Sequence, residues 1–132
     1  MKKPVVLIVD DDPEIADLIV ESVATMGFQC VVASCYEDVL PLIKDQNLVL
    51  AVVDIFVPGI GGIEGISRIK SVNDACRVIA VSGGFRRMNG ADALRAAEIV
   101  GADAILPKPF RPKELCAIVS EVLDTDNGQV SA

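Results

Sequence analysis

The segment at residues 50–57 constrains the fold more than any other part of the chain. It is apolar throughout except for Asp54, and Pro58 and Gly59 follow it directly. An unbroken apolar run of this length is typical of a strand buried on both faces of a parallel sheet, and Pro-Gly is a common turn. In open α/β sheets, ligands bind at the carboxyl ends of the strands. The segment therefore predicts a central buried strand that carries Asp54 to the functional edge of a sheet.

Three other predicted strands also end in polar side chains. Asp10 and Asp11 follow a strand at 5–9, Ser82 follows a strand at 77–81, and Lys108 follows a strand at 103–106. A further strand is predicted at 28–33. Parallel strands have their carboxyl ends at one edge of the sheet, so we expect these polar side chains to lie close together.

Helical patterns separate the predicted strands. They lie at 13–26, 35–46, after the glycine-rich loop at 59–65 as far as Ser71, at 91–100 and at 112–123. Alternation of five strands with five helices requires right-handed crossovers, and hence a doubly wound parallel sheet that is covered on both faces. A chain of 132 residues is long enough for one such α/β domain and too short for two.

Two of the helix starts carry specific signals. Asp12 is expected to cap the first helix, with Pro13 at its first position, where the missing N–H costs nothing. Ser34 and Glu37 form a capping-box pattern that predicts the second helix. Pro41 falls inside that helix and should shorten or kink it.

The expected cluster of side chains defines the chemistry. The carboxylates of Asp10, Asp11 and Asp54 would repel one another at close range unless a cation lies between them, and Mg²⁺ suits a site of two carboxylates, a backbone carbonyl and waters. Asp54 can then attack a phosphoryl group and form an acyl phosphate. The Lys108 ammonium would neutralise charge, and Ser82 would donate a hydrogen bond to a phosphoryl oxygen. Helix capping alone accounts for one acid and not for three.

Composition excludes several classes of function. With 12 basic and 19 acidic residues, the net charge of −7 gives no attraction to nucleic acid or anionic lipid, so direct DNA binding is not expected. No apolar run approaches the ~18 residues of a membrane span, and the amino terminus does not resemble a signal peptide, so we expect a cytoplasmic protein. The absence of histidine excludes His-based acid–base catalysis. The four cysteines form no CxxC pair and are expected to be buried thiols.

Five motifs make the chain similar to the receiver domains of two-component response regulators over residues 4–123. They are Val9-Asp10-Asp11-Asp12-Pro13, Val53-Asp54 with Pro58-Gly59, Ser82-Gly83, Gly101-Ala102-Asp103 and Lys108-Pro109-Phe110. Each motif alone is weak, but all five in this order and at these spacings are specific. The resemblance implies a flavodoxin-like fold with strand order 2-1-3-4-5 and a cis bond between Lys108 and Pro109.

The resemblance also implies a ligand set. Asp54 would be the phosphoacceptor, and its donor would be a sensor histidine kinase or a histidine phosphotransfer protein. Asp10 and Asp11 would bind Mg²⁺ together with Asp54 and the backbone carbonyl of Phe56. The protein would then signal by binding an unidentified downstream protein target.

Two switch positions follow from the same resemblance. Ser82 matches the switch serine or threonine, and Lys108 matches the lysine that pairs with the phosphoryl group. Many members carry Tyr or Phe three residues before this lysine, where the present chain has Ile105. A switch that depends on an aromatic ring at that position is therefore not expected.

The segment between Ser82 and Gly101 is longer than in typical members. The additional residues lie in the loop that starts at Gly83 and contains Arg86 and Arg87. This loop is either an inert insertion or a partner-specific lid that brings the two arginines near the phosphoryl group. Both interpretations are open at the level of the sequence.

The predicted organisation is a receiver domain at 1–124 and a short polar tail at 125–132, with no output domain. The predicted function is a phosphorylation-dependent switch in a two-component phosphorelay, which is not an enzyme in the ordinary sense. The alternative is a degenerate receiver that acts as a constitutive protein-binding module without phosphorylation. Its support is the unusual Ile105 and the long loop; the complete set of acids, serine and lysine argues against it.

Two other phosphate-related functions fit less well. A haloacid-dehalogenase phosphatase uses an Asp-x-Asp signature, which Asp10 and Asp12 imitate, but Glu14 stands where that motif requires Thr or Val. A flavodoxin-like FMN site requires a Ser/Thr-Gly loop after the first strand. This chain has three carboxylates there, which would repel a phosphate.

Overall fold

The chain forms one five-stranded parallel sheet. The computed structural model describes residues 4–39, 41–44, 47–55, 62–82, 95, 96, 98 and 101–131, with only the backbone beyond residue 123. The strand order is β2-β1-β3-β4-β5, as the resemblance implied. The strands are β1 (Val5–Val9), β2 (Gln29–Ala33), β3 (Leu48–Asp54), β4 (Arg77–Ser82) and β5 (Ala104–Pro107).

Helices cover both faces of the sheet, as the alternating pattern predicted. The described helices are α1 (Pro13–Ala24), a short 3₁₀ helix (Tyr36–Asp38), α2 (Gly62–Val72) and α3 (Pro112–Ser131). α1 and α3 pack on one face, and α2 and the 3₁₀ helix pack on the other. Residues 95, 96 and 98 have helical backbone within the predicted helix at 91–100. Across the described ranges, no helix is both long and apolar enough to cross a membrane.

Alternation along β3 divides its side chains between two apolar clusters. Leu50 and Val52 face α1 and α3, whereas Ala51 and Val53 face α2. All four are at most 1% exposed. The continuous apolar pattern that predicted a doubly buried strand is therefore explained by packing on both faces. β3 ends at Asp54, earlier than the predicted end at residue 57.

The predicted start of the first helix is confirmed. The Asp12 side chain accepts a hydrogen bond of 3.0 Å from the backbone N–H of Glu14, and Pro13 occupies the first helical position. The helix ends before Gly27, which adopts a φ of 95°, in the left-handed region that glycine tolerates. α1 therefore begins directly after the two acids that follow β1.

The prediction of a helix at 35–46 was wrong. Among its described residues, the segment forms the short 3₁₀ helix Tyr36–Asp38 and turns at 41–44. Ser34 does not cap this helix, because Cys35 occupies the N-cap position without a side-chain hydrogen bond. Tyr36 is 1% exposed and lies in the α2-side cluster. Burial of this ring overrides the local capping signal, and Pro41 cannot donate a helical hydrogen bond.

The end of the last helix was also predicted incorrectly. α3 continues to Ser131, beyond the expected end at Leu123, so the segment predicted as a short polar tail has helical backbone. Polarity alone does not end a helix, and no proline interrupts the sequence between these two residues. The side chains that anchor α3 are Leu115, Val119 and Val122, which are at most 6% exposed.

The cysteines are free thiols, but only one is fully buried. Cys76 is 0% exposed, and burial raises the pKa of its thiol to about 12. The other three, Cys30, Cys35 and Cys116, are half-buried. The prediction of thiols without a disulfide framework is confirmed, whereas the prediction that all four are buried was only partly correct.

Asp103 of the Gly101-Ala102-Asp103 motif stabilises the amino-terminal end of β5. Its carboxylate accepts hydrogen bonds from the backbone N–H of Val78 at 2.8 Å, from Lys70 Nζ at 3.1 Å and from Arg77 Nη1 at 3.3 Å. These contacts join α2, β4 and β5. The motif therefore has a structural explanation at the opposite edge of the sheet from the expected functional edge.

Gly65 of α2 lies against the ring of Tyr36. A Cβ atom at Gly65 would overlap the Cδ1, Cε1 and Cγ atoms of that ring. Alanine normally stabilises a helix interior by about 1 kcal/mol relative to glycine. At this position the expected sign is reversed, because the ring would have to move within a packed core.

We predict that Gly65→Ala destabilises the protein by roughly 1–3 kcal/mol, the usual cost of overpacking a core. Denaturant unfolding of wild type and variant measures the change. The matched control is the same substitution in a Tyr36→Ala background, where the ring is absent and alanine should stabilise α2. A stabilising effect of Gly65→Ala in the wild-type background would contradict this packing.

Candidate functional site

Three carboxylates meet at the carboxyl edge of the sheet. Asp10 directly follows β1, Asp54 ends β3, and one carboxylate oxygen from each of Asp10, Asp11 and Asp54 lies within 4.8 Å of the other two. Alternation places Asp10 and Asp54 on the α1 face of their strands. The geometry predicted from the strand ends is therefore present.

Lys108 brings a cation to two of these acids. Its Nζ donates hydrogen bonds to Asp54 Oδ2 at 2.9 Å and to Asp10 Oδ2 at 3.1 Å. The Lys108 side chain is 17% exposed, that of Asp54 8% and that of Asp10 1%. Low exposure strengthens the electrostatic attraction, but it also makes each charge costly without its partner.

The pKa values of Asp10 and Lys108 reflect both effects, the cost of burial and the attraction between opposite charges. Burial raises the pKa of Asp10 above its ordinary value, against the opposing effects of a hydrogen bond from the Asp12 backbone N–H and of the Lys108 charge. Burial lowers the pKa of Lys108, but its hydrogen bonds to Asp54 and Asp10 and their charges outweigh this effect and raise the pKa overall. Lys108 is therefore a protonated cation at neutral pH.

The backbone around Lys108 fixes the position of its ammonium group. The backbone N–H of Lys108 donates to the carbonyl of Ser82 at 2.9 Å, which joins the ends of β4 and β5. The bond from Lys108 to Pro109 is cis, as the resemblance implied. Phe110 is 8% exposed and packs in the cluster of α1 and α3, so the chain is anchored on both sides of Lys108.

Ser82 lies at the same edge, at the end of β4. Ser82 is 1% exposed, and its Oγ has no hydrogen-bond partner among the residues that the structure describes. A buried hydroxyl without a partner is costly, and such groups are commonly satisfied by a ligand or a water molecule. Ser82 therefore has a hydroxyl available for a group that enters the site.

The donor set suits a hard divalent cation. Carboxylate oxygens are the ligands that Mg²⁺ and Ca²⁺ prefer, and Asp11 is exposed, so the cluster is open to solvent on one side. The three carboxylates carry −3 and Lys108 carries +1, which leaves −2 at this edge when all four groups are ionised. The buried Ser82 hydroxyl, at the end of the neighbouring strand β4, is a further polar group at this edge of the sheet.

Several predicted site residues are not part of the described cluster. Phe56, Gly83, Arg86 and Arg87 lie outside the described residues. Ile105 is half-buried on β5, and its aliphatic side chain packs against the α2-side cluster.

Sequence reasoning missed Tyr36. Its hydroxyl donates a hydrogen bond of 3.3 Å to the backbone carbonyl of Asp54. Burial raises the pKa of Tyr36 well above its ordinary value, and the negative charges of Asp54 and Asp10 raise it further. The sequence did show that the chain has a single tyrosine. Nothing in the sequence indicated that its hydroxyl contacts Asp54.

A family model matches most of the chain, including the residues of this site. The model described as "Response regulator receiver domain" matches residues 6–120. The chain belongs to the response regulator receiver family. Receiver domains are signalling switches of two-component systems rather than classical enzymes, and phosphorylation is their general means of control.

Curated relatives of this receiver are transcriptional regulators. It is 32% identical over 118 residues to the transcriptional regulatory protein YvrH of Bacillus subtilis (strain 168), covering 89% of this chain and 48% of YvrH. It is 30% identical over 118 residues to the transcriptional regulatory protein CpxR of Escherichia coli (strain K12), with the same coverage of 89% and 48%. The receiver thus spans about half the length of these relatives.

Solved structures of similar receivers have the same fold. A response regulator receiver domain protein (CheY-like) from Methanospirillum hungatei JF-1 matches with a TM-score of 0.85 and 26% identity, over 97% of this chain and 99% of that chain. The receiver domain of NtrX from Brucella abortus matches with a TM-score of 0.82 and 25% identity, over 91% and 98% of the two chains. The fold of this receiver is therefore shared along almost its whole length.

Removal of the Lys108 ammonium should destabilise the protein. We predict that Lys108→Met costs about 3 kcal/mol, the lower end of the range for breaking a buried ion pair, because Lys108 retains some contact with solvent. Urea unfolding at neutral pH measures the loss. Lys113→Met is the matched control, because Lys113 is exposed on α3 and should change the stability little. Equal stabilities of the two variants would contradict the pairing of Lys108 with Asp10 and Asp54.

Proposed function

We propose that this chain is a phosphorylation-dependent switch in a two-component phosphorelay and that Asp54 is its phosphoacceptor. The observation that carries the proposal is the position of Asp54. Its carboxylate lies at the end of β3, next to the carboxylates of Asp10 and Asp11 and 2.9 Å from the ammonium group of Lys108. The phosphoryl donor is a phosphohistidine on a sensor histidine kinase or a histidine phosphotransfer protein. The chain itself has no histidine, so a phosphohistidine donor must be another protein.

The reaction is an in-line transfer of a phosphoryl group. A carboxylate oxygen of Asp54 forms a bond to phosphorus as the bond from phosphorus to the donor imidazole nitrogen breaks, and the imidazole leaves with the electron pair of that bond. The product is an acyl phosphate. Lys108, which is already hydrogen-bonded to Asp54, is placed to pair with a phosphoryl oxygen during and after the transfer.

The acidic cluster is the proposed Mg²⁺ site. Asp10, Asp11 and Asp54 would supply carboxylate oxygens, and the backbone carbonyl of Phe56, which lies outside the described residues, would complete the protein ligands. The bound cation would neutralise the clustered carboxylates and the negative charge of the phosphoryl group. Asp11 is exposed and offers the route of entry from solvent.

Ser82 is the proposed link between phosphorylation and conformation. Its buried hydroxyl, without a partner among the described residues, can donate a hydrogen bond to a phosphoryl oxygen. A phosphoryl group adds about two negative charges at Asp54, which favours whichever conformer brings donors towards it. The long loop at 83–90, with Arg86 and Arg87, would follow Ser82 in that movement.

The output is proposed to be the binding of another protein through the face built on α3, β5 and the segment before Gly101. The net charge of −7 disfavours direct DNA binding by this chain. A cytoplasmic location and a receiver domain at 1–124 remain parts of the proposal. Ile105 packs with the core on β5, so the change at this face would not use an aromatic side chain at that position.

Constitutive protein binding without phosphorylation is the second candidate function. The observation that favours it is Ile105, an aliphatic residue at a switch position where many receivers have an aromatic ring. The complete cluster of Asp10, Asp11, Asp54 and Lys108 favours the phosphorylated switch instead. A mass increase on incubation with a small phosphoryl donor distinguishes the two functions.

Asp54→Asn should abolish phosphorylation. Wild type incubated with acetyl phosphate and Mg²⁺ should gain one phosphoryl group by intact-protein mass spectrometry, and the variant should gain none because an amide is a poor nucleophile. Asp74→Asn is the control, since Asp74 is exposed in the turn before β4, and it should be labelled like wild type. Persistent labelling of Asp54→Asn would refute the assignment, and an unlabelled wild type would refute the switch.

Phe56 should prolong the lifetime of the acyl phosphate. A bulky side chain two residues after Asp54 is expected to shield the phosphoryl group from water, so Phe56→Asn should lose phosphate several-fold faster. Release of phosphate after removal of acetyl phosphate measures both rates. Phe56→Leu, which keeps most of the bulk, should behave like wild type. Equal rates in wild type and Phe56→Asn would show that this side chain does not shield the group.

A further inference from the structure

Tyr36 occupies a special position behind the acidic site. It is the only tyrosine of a chain that has no tryptophan, and it is 1% exposed. Its ring packs against the backbone of Gly65, where no side chain would fit. Such complementary packing leaves the ring little freedom to move.

The hydroxyl of Tyr36 is directed at the phosphoacceptor residue. The ladder between β1 and β3 ends at the pair Val9–Val53, and the next carbonyl of β3, that of Asp54, accepts the hydrogen bond from Tyr36 at 3.3 Å. The same peptide group is held on its other side, because the N–H of Ile55 donates to the carbonyl of Val81 at 3.1 Å. Tyr36 and β4 therefore fix the peptide between Asp54 and Ile55 from two directions.

Tyr36 acts from the face opposite to the carboxylate. It belongs to the cluster on the α2 side, whereas alternation along β3 directs the Asp54 side chain to the side of α1 and α3. The phenol therefore contacts the backbone of Asp54 without occupying the space that a phosphoryl group or a cation would need.

We propose that Tyr36 is a positioning residue for phosphoryl transfer to Asp54. Its hydroxyl holds the peptide after Asp54 in the orientation that keeps the carboxylate beside Lys108, and it holds the start of the chain that leads to Phe56. The proposal rests on the proposed function of Asp54 as the phosphoacceptor. Tyr36, from the 3₁₀ helix after β2, would then be one of the residues that set the rate of that reaction.

A purely structural role for Tyr36 predicts a different result. If the ring only fills the core, loss of the hydroxyl changes the stability and leaves the reaction of the folded protein unchanged. If the hydroxyl positions Asp54, its loss also slows the reaction and weakens the response to Mg²⁺, because both depend on the position of the Asp54 carboxylate. The two roles are therefore separable by rate measurements on folded protein.

Tyr36→Phe removes the hydroxyl and keeps the ring against Gly65. We expect its labelling by acetyl phosphate to be roughly three- to ten-fold slower than that of wild type, the range that corresponds to one neutral hydrogen bond. We also expect half-maximal labelling to require more Mg²⁺. The measurement is the initial rate of labelling over a series of Mg²⁺ concentrations, at a temperature where both proteins are folded.

The control is Ser22→Ala. Ser22 is buried on α1, away from the start of that helix, and its hydroxyl donates to the carbonyl of Leu18 at 2.8 Å. This variant also loses a buried hydroxyl-to-carbonyl hydrogen bond, but its labelling rate should equal that of wild type. A wild-type rate and Mg²⁺ response in Tyr36→Phe would overturn the proposal and leave Asp54 as the acceptor. Failure of wild type itself to be labelled would overturn both.

The wild-type protein offers a second readout. Because Tyr36 is the only tyrosine and there is no tryptophan, tyrosine fluorescence reports on this one phenol. Acetyl phosphate with Mg²⁺ should change its emission in wild type, since the carbonyl that it contacts belongs to the residue that gains charge. Asp54→Asn should not respond to acetyl phosphate. An unchanged emission in a wild-type sample that is fully labelled would contradict the contact between Tyr36 and the reacting residue.

Discussion

The interaction on which the site depends is that of one ammonium group with two buried carboxylates. Lys108 Nζ lies 2.9 Å from Asp54 and 3.1 Å from Asp10, while Asp11 adds a third carboxylate at the solvent side. A single lysine does not balance three acids. This residual negative charge makes a cation a reasonable partner for the site, and it keeps Asp54 next to a group that can stabilise added phosphate.

The doubly wound sheet produces this arrangement from residues far apart in the chain. Asp10 follows β1, Asp54 ends β3, and Lys108 follows β5, so the four crossover connections between β1 and β5 bring them together. The backbone hydrogen bond from Lys108 to Ser82 and the buried ring of Phe110 then anchor the chain on both sides of the lysine. The remaining fold serves this edge, because the two apolar clusters hold the strands in the register that aligns their ends.

Strand ends and burial could be predicted from the sequence because they follow from local patterns. The run that contains Asp54 is apolar on both faces, and Asp12 with Pro13 is a strong local signal for a helix start. The strand order came from the resemblance to receivers. The second helix could not be predicted, because burial of Tyr36 against Gly65, residues 29 positions apart in sequence, overrides the capping pattern at Ser34. The contact of Tyr36 with the Asp54 carbonyl depends on the same long-range packing.

The site has a front and a back. Carboxylates and Lys108 form the front, where phosphoryl transfer is proposed, and the ring of Tyr36 supports the same strand end from behind. This division explains why a large aromatic side chain can be buried next to Asp54 without blocking its carboxylate. It also explains why glycine is required at residue 65, since any side chain there would displace the ring.

The most direct test is chemical mapping of the phosphorylated residue. Borohydride reduces an aspartyl phosphate to homoserine, which peptide mass spectrometry locates within the chain. After incubation with acetyl phosphate and Mg²⁺, we predict homoserine at position 54 and at neither position 10 nor position 11. Homoserine at another position, or none in wild type, would contradict the central claim that Asp54 is the acceptor.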